Sequence, residues 1–248
     1  MQALKTTYHY ANGASQVGDL YRPGTAETLP LVILIHGGYW KDNHDRDSYA
    51  TRNLIDPLLD KNFAVWNLEY RRMEYEGENV TAAWPNLLGD VAEGVDYVRS
   101  LAEKENLDLE RILLIGHSAG GHLATCAVSR SNISESSELF RENPLEVKRM
   151  ISIAGIMDFS QGDEVAHNHI ERLLGGDKKT FPDRFEAADP TFLQKGITTP
   201  QLIIHGVEDD CVDVEQARSY VKNSVNDKLR YVEWKDADHF SMLLEPGQ

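Results

Sequence analysis

The chain has 248 residues, of which 41% are hydrophobic, and this is enough for one large domain with a sizeable core. It carries 25 Lys and Arg residues against 40 Asp and Glu residues, for a formal net charge of −15 at pH 7. Because nucleic acids and anionic membranes are themselves negatively charged, this balance argues against either as a partner. We expect a cytoplasmic location, since there is no apolar signal core, no membrane-spanning run and no set of cysteines for a disulfide framework.

From about residue 30 onward, short β-rich runs alternate with helical patterns. This alternation predicts an α/β protein with a mostly parallel sheet and helices on both faces. The run at 31–35 is continuously apolar, as expected for a strand that is buried on both sides. An antiparallel pair around Asn12-Gly13 precedes it. In chain order, the eight predicted strands are 6–10, 16–21, 31–35, 63–68, 111–116, 150–154, 201–205 and 229–234.

Helical segments can be placed between these strands. Apolar residues recur at helical spacing from Trp84 to Leu101, with Pro85 near the start, where its missing N–H costs nothing. Residues from about 131 to 196 break the alternation. We expect a cap-like helical insertion there, over the functional site of a single domain that spans 1–248, with ordinary surface helices and loops as the alternative.

The strongest local signal is Gly116-His117-Ser118-Ala119-Gly120, a G-x-S-x-G pattern. The apolar strand before it and the small-residue helix after it give the strand–turn–helix setting of a nucleophile elbow, as in the α/β-hydrolase fold. The flanking glycines are needed because side chains there would collide with the neighbouring strand and helix. Ser118 is therefore the predicted nucleophile, and a glycine-rich turn without chemistry is the alternative.

A serine hydroxyl is a weak nucleophile and needs a base, which an acid in turn orients. In such sites the acid and then the histidine follow the serine, each after a later strand. His239 follows the last predicted strand and is the expected base. Glu208, Asp209 and Asp210 follow the strand at 201–205 and compete for the acid, since residue type alone cannot choose among them.

Acyl transfer also needs hydrogen-bond donors for the negative charge that develops on the carbonyl oxygen. One backbone N–H is expected from Ala119, directly after the nucleophile. Further donors are expected from the loop after the strand at 31–35, where paired glycines let the backbone approach a substrate closely. Trp40 and His117 are candidate substrate-contacting residues, with packing as the alternative for Trp40. The loop reads His36-Gly37-Gly38-Tyr39-Trp40.

These motifs resemble those of a known family. The loop at 36–40 is similar to the HGGxW motif of kynurenine formamidases (arylformamidases) and related esterases. These enzymes belong to the wider hormone-sensitive-lipase-like branch, whose common form is HGGG. Residues 116–123 resemble the family's GHSAGAHL segment, with Gly121 where alanine is usual, and residues 67–71 resemble its N-x-x-Y-R segment.

The resemblance implies roles for three further residues. In that family the second glycine of HGGxW and the residue after it are taken to form the oxyanion hole, and these are Gly38 and Tyr39 here. The segment 205–212 is similar to the H-G-x-x-D-x-x-V segment of many α/β-hydrolases, and this likeness selects Asp209 as the acid.

We therefore expect a serine hydrolase that cleaves small-acyl carboxylic esters by a Ser-His-Asp acyl-enzyme mechanism. Tyr39 replaces the third glycine of HGGG, and its bulk favours formyl or acetyl groups over long chains. An arylformamidase acting on N-formylkynurenine is the close alternative, and a serine peptidase is third. A non-catalytic hydrolase-like binding protein is the alternative of another class. We expect a small-molecule ester or amide as substrate, no metal and no other cofactor, and the resemblance allows a homodimer.

Overall fold

The computed structural model describes residues 3–25, 27–74 and 80–243. Eight strands form one sheet at the centre of these residues. The strands are β1 (Leu4–His9), β2 (Val17–Arg22), β3 (Leu29–Ile35), β4 (Ala64–Leu68), β5 (Leu107–His117), β6 (Arg149–Ile153), β7 (Gln201–Gly206) and β8 (Leu229–Trp234).

The order of the strands across the sheet is β1-β2-β4-β3-β5-β6-β7-β8. The pairs β1–β2 and β2–β4 are antiparallel, and the five remaining pairs are parallel. The predicted mostly parallel sheet of eight strands is therefore confirmed. The carboxyl ends of β3, β5, β7 and β8 meet at one edge, so the loops that follow these strands can share one site.

Helices connect the strands. None of those in residues 3–25, 27–74 and 80–243 has the length and apolar character that a membrane span requires. The α-helices are α1 (Ile55–Asp60), α2 (Asn86–Asp96), α3 (Val98–Glu105), α4 (Ala119–Val128), α5 (Glu164–Leu174), α6 (Pro182–Ala188), α7 (Pro190–Leu193) and α8 (Glu215–Asn223). Short 3-10 helices lie at Ala50–Leu54, Arg130–Asn132, Gln194–Gly196 and Ser241–Leu243.

The central strands β3 and β4 are buried on both faces, as the apolar run in β3 predicts, whereas the edge strands β1 and β8 are largely exposed. Alternate residues of a strand point to opposite faces. Ile33 accordingly packs in the larger core together with side chains of α2 and α4, whereas Val32 packs on the other face with Ile55 of α1 and Leu243. The helical pattern from Trp84 to Leu101 forms two helices, α2 and α3, rather than one.

The predicted insertion at 131–196 is wrong in its first half. That range contains β6, which pairs with β5 on one side and β7 on the other in the interior of the sheet. β6 has only five residues, and irregular polar chain precedes it, so the alternation is obscured there without being broken. The additional helices α5, α6 and α7 all lie between β6 and β7.

Candidate active site

Ser118 lies in the tight turn between β5 and α4. Its φ of 56° and ψ of −124° place it in a region that side-chain-bearing residues rarely adopt, as expected for a nucleophile elbow. A Cβ at Gly116 would lie 2.0 Å from the carbonyl oxygen of Gly120, and one at Gly120 would lie 2.2 Å from that of Ile35. Both glycines are therefore required for the close approach of β5, α4 and β3.

Of the three candidate acids, the structure brings Asp209 to His239. His239 Nδ1 donates a hydrogen bond to Asp209 Oδ2 at 2.7 Å, and the Asp209 side chain is fully buried. Glu208 and Asp210 are exposed. The loop after β7 thus turns the middle carboxylate inward and its two neighbours toward solvent.

Further donors surround the Asp209 carboxylate. Its Oδ1 accepts from the backbone N–H groups of Cys211 and Val212, at 2.9 and 2.8 Å. His205 Nε2 lies 3.2 Å from Oδ2. Burial opposes ionisation, but hydrogen bonds from His205 and then His239 lower the pKa of Asp209 well below its usual value. The lowered pKa favours the ionised form of Asp209, which is the form that accepts from His239 Nδ1–H.

His117, beside the nucleophile, contacts the loop that carries His239. Its Nε2 lies 2.8 Å from the carbonyl oxygen of His239, and the two rings are 4.6 Å apart between centroids. A carbonyl oxygen can only accept, so Nε2 carries the proton and Nδ1 is an acceptor. Burial lowers the pKa of His117 to about 3, which keeps the ring neutral.

Tyr49 completes this arrangement, and sequence reasoning missed it. Its hydroxyl lies 2.9 Å from His117 Nδ1, to which it donates, and the residue is buried. Burial raises the pKa of Tyr49, and a hydrogen bond with the Ser118 hydroxyl opposes this shift. Tyr49 lies in an irregular segment with no motif, so the sequence offers no signal for it.

The loop after β3 has an unusual backbone conformation, with three consecutive residues at positive φ. Gly38, Tyr39 and Trp40 all have positive φ, at 108°, 50° and 61°. Within the described residues, the N–H groups of Gly38, Tyr39 and Ala119 are not donors in any hydrogen bond found. An oxyanion hole requires backbone donors that are not already committed to other acceptors.

The side chain of His36 links this loop to Glu69. Its Nδ1 lies 2.8 Å from the carbonyl oxygen of Gly37, and its Nε2 lies 3.1 Å from Glu69 Oε1. Glu69 is 2% exposed and also accepts from the N–H of Arg46 and pairs with Arg72. Burial opposes ionisation, but the hydrogen bond from His36 and its charge lower the pKa of Glu69. Glu69 is a second positioning residue that the sequence patterns did not reveal.

The two candidate substrate-contacting residues are both fully buried. Trp40 packs edge-on against His122, with ring centroids 5.3 Å apart, and against Phe159. The packing alternative therefore describes Trp40. His117 is engaged by Tyr49 and by the backbone of the His239 loop, so it positions other groups rather than presenting a surface to a substrate.

Tyr39 bridges two loops of the site. Its hydroxyl donates to the carbonyl oxygen of Cys211 at 2.8 Å, and its ring contacts His169 of α5. A cleft of about 700 Å³ lies on one side of it. Ser118 does not line this cleft and is 2% exposed. The acidic residues that line the cleft are Asp163, Asp209, Asp210, Asp213 and Glu215.

The sheet has the strand order of an α/β-hydrolase, with a serine in the tight turn after β5. An aspartate after β7 is hydrogen-bonded to a histidine after β8. Together these features define the chain as an α/β-hydrolase. More narrowly, the chain belongs to the BD-FAE family, whose model matches residues 19–223.

Curated relatives and a solved structure agree with this assignment. The chain is 25% identical to esterase LipC of Mycobacterium tuberculosis, over 95% of this chain and 59% of LipC. It is 22% identical to the kynurenine formamidase of Drosophila melanogaster, over 95% of this chain and 74% of that enzyme. Esterase B of Lactobacillus rhamnosis, inhibited by a tributyrin phosphonate, superposes with a TM-score of 0.80 at 23% identity, over 97% of this chain and 79% of that one. The chain thus spans about three-fifths of LipC, and the solved structure shows the shared fold.

Proposed function

We propose that the protein is a serine hydrolase that cleaves carboxylic esters of small acyl groups through a covalent acyl-enzyme. The observation that carries this proposal is the 2.7 Å hydrogen bond between His239 and Asp209, beside the strained turn of Ser118. The family membership and the relatives named as esterases support it.

In the first half-reaction, His239 Nε2 removes the Ser118 proton as Oγ attacks the carbonyl carbon. Asp209 accepts from Nδ1–H, which fixes the tautomer and stabilises the imidazolium that forms. His239 then protonates the leaving alcohol. In the second half-reaction, water attacks the acyl-enzyme with the same base, and Ser118 is released.

The negative charge of each tetrahedral intermediate needs donors that are already in place. The N–H groups of Gly38, Tyr39 and Ala119 would supply them, since they are not committed to other acceptors in the described chain. Loss of one such donor costs roughly 10²–10³ in kcat in comparable enzymes.

The preference for small acyl groups follows from Tyr39. Its side chain occupies the position of a third glycine and is fixed at both ends, by the backbone and by the hydroxyl bond to the Cys211 carbonyl. Ser118 is also nearly inaccessible, at 2% exposure. Hydrolysis of p-nitrophenyl acetate and octanoate tests this, because faster octanoate turnover would contradict it.

An arylformamidase is the second candidate, favoured by the HGGxW-like loop at 36–40 and by the similarity to a kynurenine formamidase. Formyl is the smallest acyl group, so the same constricted site would accept it. Hydrolysis of N-formylkynurenine, measured beside p-nitrophenyl acetate, separates the two candidates. The cytoplasmic location and the homodimer stay predictions.

A non-catalytic binding protein would not activate its serine. A fluorophosphonate probe, which reacts only with an activated serine, distinguishes this alternative. We expect stoichiometric labelling of the protein and none of the Ser118→Ala variant.

A further inference from the structure

A mixed group of metal-ligand atoms lies at the mouth of the site. One oxygen of Asp209, Sγ of Cys211 and a ring nitrogen of His239 all lie within 4.8 Å of one another. We propose that Asp209, Cys211 and His239 form an inhibitory binding site for a thiophilic divalent cation, of which Zn²⁺ is the type. Asp209 and His239 are also the acid and base of the proposed hydrolysis, so the inhibitory effect rests on the proposed function, whereas binding itself can be measured without turnover.

The donor set selects the class of cation. Thiolate, imidazole and carboxylate are the three protein ligands of Zn²⁺, at about 2.0 to 2.3 Å. A sulfur and a nitrogen ligand disfavour Mg²⁺ and Ca²⁺, which require oxygen ligands. Donor atoms within 4.8 Å of one another need only side-chain rotation to reach a common ion, with water in the fourth position.

The surrounding charge also favours a cation. The Cys211 side chain lies beside two carboxylates, with Sγ 3.5 Å from Asp210 Oδ1 and within 4.8 Å of an Asp209 oxygen. The adjoining cleft has five acidic lining residues and no Lys or Arg among its lining residues. A divalent cation that enters this cleft is therefore stabilised by attraction to the carboxylates before it reaches its ligands.

Cys211 and His239 are both available as ligands. Cys211 is exposed, and its thiol makes only a long contact of 3.5 Å with Asp210 Oδ1. His239 is 3% exposed, and in the part of the chain that the structure describes its Nε2 has no hydrogen-bond partner. The cluster thus has an entry path through the exposed Cys211.

Binding at this site would inhibit hydrolysis whichever ring nitrogen is used. If the ion binds Nε2, that atom cannot accept the Ser118 proton. If it binds Nδ1, the proton moves to Nε2, which is then a donor. Cys211 loses its thiol proton to solvent as the sulfur–metal bond forms, and no oxidation or reduction takes place.

Co²⁺ is the appropriate probe, because a cobalt–thiolate bond gives a charge-transfer absorption in the near ultraviolet that reports sulfur ligation directly. We would titrate the full chain with Co²⁺ and then displace it with Zn²⁺. We expect a saturable band in the protein and in Ser118→Ala, and its loss in Cys211→Ser. Cys126→Ser is the matched control, since Cys126 is buried away from the group and should leave the band intact.

The His239→Ala variant distinguishes binding by all three ligands from binding by Cys211 alone. We expect its affinity for Co²⁺ to fall by at least tenfold. The Zn²⁺ concentration for half-inhibition of hydrolysis should rise by at least tenfold in Cys211→Ser. A band that persists in Cys211→Ser, or an affinity unchanged in His239→Ala, would overturn the proposal. A normal band in a protein that hydrolyses no ester would contradict the proposed function alone.

Discussion

His117 donates a hydrogen bond from Nε2 to the carbonyl oxygen of His239, at 2.8 Å, and so links the residue next to Ser118 to the loop that carries His239. The two residues are 122 positions apart in the chain. Both are buried, at 0% and 3% exposure. The relationship makes His117, with Tyr49 on its other nitrogen, a positioning residue for His239, the proposed general base.

Tyr49→Phe should lower kcat by about three- to tenfold and leave KM nearly unchanged. The change removes the hydroxyl that fixes the His117 tautomer and contacts Ser118, and a hydrogen bond of this kind contributes about 0.5–1.5 kcal/mol. Steady-state kinetics with p-nitrophenyl acetate measures the effect. Tyr220→Phe is the control, since it removes another buried, hydrogen-bonded tyrosine hydroxyl far from the site. Equal losses in both variants would mean that the effect is only structural.

Asp209→Asn should lower kcat by roughly 10³- to 10⁴-fold at neutral pH, because the amide can no longer fix the tautomer of His239 or stabilise its charge. Glu208→Gln changes the neighbouring, exposed carboxylate and should keep kcat within about twofold. A large loss in Glu208→Gln with activity retained in Asp209→Asn would exchange the roles of the two acids.

Glu69→Gln should destabilise the protein by about 3–5 kcal/mol at pH 7, because it leaves Arg72 without its buried counter-charge and removes a charged hydrogen-bond acceptor of His36. The folded-state pKa of Glu69 is lowered, so its contribution is complete above the unfolded value of about 4.3 and is lost as pH falls toward the folded value. Urea unfolding at pH 7 and near pH 4 should therefore show a smaller difference between protein and variant at the lower pH. A difference that grows on acidification would contradict this account.

Tyr39→Ala should raise the octanoate-to-acetate ratio of kcat/KM by about tenfold, equal to about 1.4 kcal/mol, because the proposed function assigns to the ring the role of narrowing the acyl site. Alanine is preferred to glycine because glycine at a residue whose φ is 50° would also change the freedom of the backbone, whereas alanine keeps the Cβ. Tyr39→Phe removes only the hydroxyl bond to Cys211 and should leave the ratio unchanged. If the phenylalanine variant shifts the ratio as much as alanine does, the bridge and not the ring sets the preference.

Ser118 could be located from the sequence, because the tight turn that carries it requires particular glycines next to an apolar strand. The later strands could also be placed in chain order from their apolar runs. The sequence predicts a strand at 150–154 but also places it within the expected insertion at 131–196, because the five residues of β6 beside irregular chain form a weak pattern.

The remaining parts of the site depend on long-range packing. Glu208, Asp209 and Asp210 have equivalent chemistry, and only the direction of the loop after β7 distinguishes the buried one. Tyr49 approaches His117 across 68 positions from a segment without periodicity. Trp40 belongs to a motif, but the motif does not indicate that its side chain points into the core.

The most direct test of the central claim is the hydrolysis of p-nitrophenyl acetate by the protein and by a folded Ser118→Ala variant. The account predicts that kcat falls by at least about 10³-fold in the variant, to the residual level that binding and oxyanion donors alone provide. Circular dichroism would establish that the variant is folded. An unchanged rate in pure, folded Ser118→Ala protein would contradict the assignment of Ser118 as the nucleophile.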